Sequence, residues 1–217
     1  LTLRDSDNDL MMSICTSMPV DLRASLTERL ISCFPTDPLN VLDTATISRS
    51  EPLKFQALHF SWYNRHCTRG HDAPVDVPPR KLRCANRSRT NYAQMLPYPS
   101  KDIEEHHLIY DALKTILNDV FCWLDKTVSA LLRILPQEYS HLEASASILP
   151  DHHTSPVHPF LGLVINMNIA TYAHRDSKDN SICLVLPIGY FDGGELCLLE
   201  AGLVVPLQHA QLCVFPS

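Results

Sequence analysis

The sequence predicts an α+β chain in which a helical block precedes an antiparallel β-sandwich or jelly roll. Residues 101–135 hold one sustained apolar stripe of helical period, and from Pro159 onward the texture changes to short β-rich runs separated by glycine turns. Composition agrees, because 217 residues with 45% apolar and 19% charged side chains can build one sizeable core and are far from a disordered chain.

Residues 1–56 are mixed in character. A short amphipathic helix is expected around Asp21–Phe34, with Leu22, Leu26, Leu30 and Ile31 on one face and Asp21 as its N-cap. Residues 57–100 carry Ala73-Pro74, Pro78-Pro79, Pro97 and Pro99 and no sustained period, so irregular structure or a long loop is expected there. Within it, residues 65–91 hold seven basic side chains (Arg65, Arg69, Arg80, Lys81, Arg83, Arg87, Arg89) against Asp72 and Asp76. That stretch is +5, which leaves −11 on the remainder of a chain of net charge −6. Contact with a phosphate backbone needs such an asymmetry, and a solvated loop shows it too. Trp62, Tyr63 and Tyr92 at its edges suit base stacking and core packing equally.

The helical stripe runs through Ile109, Leu113, Ile116, Val120, Leu124, Val128, Leu131 and Leu135, in steps of three and four. Ser100 is placed to cap its start, and Asp102, Glu104 and Glu105 occupy the first turn, where the helix dipole favours acids. Pro136 stops it. One long helix or two nearly continuous ones are expected, covering a sheet, with a further short helix at Gln137–Ser147. The expected strands are Leu161–Tyr172, Ser181–Gly189, Glu195–Glu200, Leu203–Leu207 and Gln211–Phe215. Asp192-Gly193-Gly194, Ala201-Gly202 and Gln208–Ala210 punctuate them.

Several classes are excluded. Only 6 Gly against 16 Pro argues against a glycine-rich phosphate-binding protein, and no apolar run reaches the length of a membrane span. The eight cysteines are scattered, with no CxxC pair, which reads as free thiols in a reducing compartment. A soluble, intracellular protein is expected.

Chemistry concentrates in Asn166–Asp176. If this segment is extended, Asn166, Asn168, Ala170, Tyr172, His174 and Asp176 share one face, and Ile165, Met167, Ile169, Thr171 and Ala173 share the other. A polar face on a strand flanked by core-like runs suits a pocket wall. His174 and Asp176 then point the same way a few Å apart, and an imidazole with a carboxylate supplies two corners of a 2-His-1-carboxylate iron site. A His–Asp hydrogen bond at a strand end is the plainer account of H-x-D alone.

After H-x-D come Ser181-Ile-Cys-Leu-Val-Leu, Gly193-Gly194-Glu195-Leu196, Leu203-Val-Val-Pro-Leu and Leu212-Cys-Val-Phe-Pro-Ser217. This order resembles the double-stranded β-helix of Fe(II)/2-oxoglutarate dioxygenases. The run from Pro159 to Asp179 is similar to the TET/JBP branch, and more narrowly to TET-like proteins of mushroom-forming fungi. The resemblance is strong over residues 159–217, weaker over the helices, and does not extend to residues 1–90. It implies a double-stranded β-helix (jelly roll) with a helical layer packed on it, C-terminally incomplete. Residues 1–100 then form an N-terminal region with a basic loop at 65–91, and residues 101–217 the helical support and partial oxygenase domain. It also implies Fe(II) and 2-oxoglutarate, methylated DNA as partner, no membrane, and a nuclear location.

On that resemblance His174 and Asp176 are iron ligands, and Asp179 matches a position that contacts the flipped base. The family's third ligand and its 2-oxoglutarate-anchoring Arg fall beyond Ser217, so the chain reads as a fragment of an enzyme or a decayed copy. His209 is the only histidine after Asp176. It falls at a hairpin turn where the family usually has Gly, which aims it away from the metal. A sister oxygenase acting on protein or a small molecule, and a non-catalytic DNA-binding remnant, are the rival readings.

Other motifs lead nowhere firm. His174-Arg175-Asp176 with Asn180 is close to the kinase loop H-R-D-x-x-x-x-N, but the Asn comes one residue early and no Gly-rich loop accompanies it. His59, His66, Cys67, His71 and Cys84 lack structural-zinc spacing apart from Cys67-x3-His71. Asp151-His152-His153 reads as a solvent-facing loop.

Overall fold

In a computed structural model, the chain is described over residues 1–34, 56–61, 100–147, 157–167, 182–199 and 201–216. The helical block matches its sequence pattern. Ser100 accepts from the Ile103 N–H at 3.5 Å and opens α2 (Lys101–Glu105). His106, at φ −122° and ψ 36°, breaks the helix before α3 (His107–Ile134) begins. Of the stripe, Ile109, Leu113, Ile116, Val120 and Leu135 are buried. Pro136 ends α3 and opens α4 (Pro136–Ser147), because a proline at the first helical position gives up an N–H that would have had no partner.

The first helix, α1 (Val20–Ser32), corrects one expectation. Its N-cap is Pro19, and Asp21 lies inside the first turn, where it complements the helix dipole without capping. The start is fixed by the Arg23 N–H donating to the Pro19 carbonyl at 2.9 Å. Leu26 is fully buried, with Leu22 and Leu30 packed beside it. An ion pair between Arg29 and Asp119 ties α1 to α3.

Four antiparallel strands form the main sheet, in the order β1 (Thr2–Arg4), β2 (Leu10–Cys15), β8 (Leu212–Pro216), β5 (Ile182–Val185). The central strand β8 is apolar on both faces, and the packing explains why. Leu212 and Val214 join Ile182 and Leu184 against the helical core, which includes Leu26, Leu113 and Val120. Cys213 and Phe215 turn the other way with Met12, Ile14 and Val185. There they meet Leu196, Leu198, Leu203 and Val205 from a two-stranded sheet of β6 (Leu196–Leu198) and β7 (Leu203–Val205). Helices thus cover one face of the main sheet and a β-hairpin covers the other.

A separate ribbon pairs β3 (Gln56–Ser61) with β4 (Gly162–Met167), from Gln56 opposite Met167 to Ser61 opposite Gly162. Leu58, Phe60, Leu163, Ile165 and Met167 pack into the helical core, and the Phe60 ring centroid lies 5.3 Å from that of Tyr110 on α3. The far edge of β3 is closed by the start of α2. Ser100 Oγ donates to the His59 carbonyl and accepts from the Ser61 N–H, the Ser100 N–H donates to the Ser61 carbonyl, and Asp102 accepts from the His59 N–H. A strand edge that would otherwise solicit pairing is satisfied by a helix N-terminus.

β3 falls in the stretch expected to be irregular from residue 57, and β1 and β2 fall in a region read only as mixed. No helix among the described residues is long and apolar enough to cross a membrane.

Candidate functional site

The strand that leads toward the H-x-D motif is β4, and its alternation is the part of the candidate site that is described. Leu163, Ile165 and Met167 face the core, whereas Gly162, Val164 and Asn166 are exposed. Register with β3 sets Ala57, His59 and Ser61 opposite these three outward positions. The expected separation of Ile165 and Met167 from Asn166 onto two faces is therefore present, with the Asn166 face exposed. His174, Asp176 and Asp179, together with Asn168 and Tyr172, lie outside the described residues, as do the basic stretch 65–91, the Cys67–His71 pair and Asp151–His153.

His209 sits in the turn between β7 and β8, and both of its ring nitrogens are engaged. Nδ1 accepts from the Gly189 N–H at 3.0 Å, which fixes the proton on Nε2, and Nε2 donates to the Arg23 carbonyl at 2.9 Å. The ring thus pins α1 to the loop after β5 and offers no lone pair to a metal. Ala210 follows at φ 62°, and its N–H donates to the Pro187 carbonyl at 2.9 Å, which adds a second tie to the same loop.

One donor cluster escaped sequence reasoning. Asp102, Glu105 and His106 each place a ligand atom within 4.8 Å of the other two. Asp102 and Glu105, at i and i+3, share one side of α2 and His106 follows at the residue that ends it; in the sequence the two acids signal only dipole complementarity. Two carboxylates and an imidazole are donors that suit a divalent ion such as Mn²⁺, Fe²⁺ or Zn²⁺. Asp102 already has a structural task, since its Oδ2 accepts from the His59 N–H at 2.6 Å.

The buried thiols are not nucleophiles. Burial pushes Cys213 up to about 11, and burial also raises Cys33, against a smaller opposing effect of Arg29. Both stay protonated near neutral pH, and the thiolate is the reactive form.

No protein-family model, curated protein or solved structure matches the chain.

Proposed function

We propose that this chain is part of an Fe(II)/2-oxoglutarate-dependent dioxygenase of the TET/JBP type that oxidises a methylated base in DNA, 5-methylcytosine or a close relative. The observation that carries the reading is the alternation of β4. The period-two argument that sets Asn166, Asn168, Tyr172, His174 and Asp176 on one face starts from a strand that obeys it.

Two features of the sheets add support. The chain runs from β5 in the main sheet to the β6–β7 hairpin on the opposite side, then back to β8 beside β5, a path compatible with the threading of a jelly roll. Ile182, at the start of β5, is the partner of Pro216 at the end of β8, so the two strands pair antiparallel as neighbouring jelly-roll strands do.

In this reading His174 and Asp176 hold the metal, a neutral imidazole and a carboxylate being suitable donors for Fe(II). Held by these two residues, Fe(II) with its 2-oxoglutarate co-substrate would supply the oxidising power for the methyl C–H bond. Asp179 accepts from the exocyclic amine of a flipped cytosine and so orients the base. The basic stretch 65–91 neutralises phosphates around it, and a DNA substrate implies a nuclear location.

Metal titration tests the reading. His174→Ala and Asp176→Ala should each weaken Fe(II) or Mn(II) binding by at least about tenfold, while Asp102→Asn leaves it in place. Wild-type affinity in both of the first two variants refutes the assignment. Succinate release with methylated duplex but not with peptide assigns the substrate, and the reverse result points to a sister oxygenase.

A second reading is a DNA-binding remnant without turnover. With both ring nitrogens spent on backbone groups, His209 adds no third ligand to His174 and Asp176. It predicts salt-dependent DNA binding and no iron-dependent reaction.

A further inference from the structure

The loop between β5 and β6 holds two aromatic rings out in water. Tyr190 is 95% exposed and Phe191 43% exposed, and every residue from Tyr190 to Glu195 is exposed. A tyrosine ring ordinarily buries much of its surface, so one left bare contributes little to the fold.

The base of this loop is fastened. Gly189 donates to His209, Ala210 donates to the Pro187 carbonyl, and the Tyr190 ring lies over the His209 ring at 6.1 Å and 30°. Gly189, Gly193 and Gly194 adopt φ of +120°, +78° and +74°, so a side chain at any of the three would strain the turn. The aromatic tip is thus held by a braced turn.

Charge states what it would receive. Asp192 and Glu195 flank the tip, and Glu195 Oε2 lies 4.0 Å from where a Cβ on Gly193 would stand. From Ser181 to Ser217 the sequence contains Asp192, Glu195 and Glu200 and no Lys or Arg. The loop's own charges are thus all acidic, which favours a cationic ligand over a phosphate; Arg23 of α1, whose carbonyl accepts from His209, is the described basic residue placed next to its base.

We propose that Tyr190–Glu195 is a docking site for a Lys- or Arg-bearing peptide segment of a partner protein. Tyr190 supplies the π face for the cation, with Asp192 and Glu195 as countercharge. The site is independent of the dioxygenase reading.

A fluorescent peptide of alternating Arg and Gly, titrated into the full chain and followed by anisotropy, tests this. Tyr190→Ala keeps the net charge and should weaken binding by about three- to fivefold, whereas Tyr190→Phe should bind as wild type. Asp192→Asn combined with Glu195→Gln should cost about tenfold at low salt. A Gln-for-Arg peptide should not bind. Because Tyr190 is so exposed, these variants should melt with the wild type, which a circular-dichroism melt checks. Undiminished binding by Tyr190→Ala would show attraction to net charge alone and overturn the proposal. So would absence of binding, or loss of duplex DNA binding in the same variants.

Discussion

Replacing His209 with alanine separates a structural histidine from a metal-binding one. The substitution removes two hydrogen bonds, at 3.0 Å from the Gly189 N–H and at 2.9 Å to the Arg23 carbonyl. A net hydrogen bond contributes about 0.5–1.5 kcal/mol, and the half-buried site lets water partly replace the lost partners, so a loss of about 2 kcal/mol is expected. For a chain of this length, that corresponds to a fall in Tm of about 4–8 °C. The two bonds can be read singly. His209→Asn can keep an acceptor near the Nδ1 position and His209→Gln a donor near Nε2, so each should recover roughly half of the loss. Calorimetry measures Tm, and urea unfolding should show a shifted midpoint at constant slope. An unchanged midpoint in His209→Ala, together with loss of Fe(II) binding, would refute the reasoning and make the ring a ligand.

Leu212 is 1% exposed on the central strand, so Leu212→Ala should cost about 3–4 kcal/mol in chemical denaturation. Ser100→Ala removes the cap of α2 and two of the bonds that close the β3 edge, and should cost about 2 kcal/mol by the same assay. The Cys213 thiol has its ordinary value of 9.0 raised to about 11 in the fold. The folded state therefore holds a proton that the unfolded state loses first, and stability is full below pH 9 and declines as pH rises toward 11. Melting temperatures across that range check this, and Cys213→Ser should flatten the decline. At pH 8, iodoacetamide should label the exposed Cys122 and Cys197 in the native protein and spare Cys213, as peptide mass mapping would show.

Legibility followed the strength of the periodic signal. The α3 stripe and the C-terminal strands were readable because Ile109, Leu113, Ile116 and Val120 repeat at helical spacing and glycines at 193, 194 and 202 sit where positive φ is needed. The strands before α2 were not. β2 is buried between β1 and β8, so its run Leu-Met-Met-Ser-Ile-Cys has no alternation to betray it, and β3 is a short run whose partner lies some hundred residues downstream. Asp21 was misplaced as a cap because an acidic side chain in the first turn gives the same composition signal as one just before it. At the candidate site, the face assignment was legible at Ile165, Asn166 and Met167 because the strand period is strict. The Asp102–Glu105–His106 cluster was missed because acids near a helix start already had an explanation.

The placement of β8 bears on how the protein is made. Ser13 of β2 pairs with Val214, so the strand at the centre of the main sheet is synthesised some two hundred residues after the neighbour it must join. Until β8 leaves the ribosome, the β2 edge of the β1–β2 hairpin is bare, and the apolar faces of α1 and α3 have no central strand to cover. Folding of the sheet therefore waits on the synthesis of β8. Nascent chains stalled short of Leu212 should be sensitive to protease and bound by chaperones, because a contact of such long range imposes both slow closure and prolonged exposure.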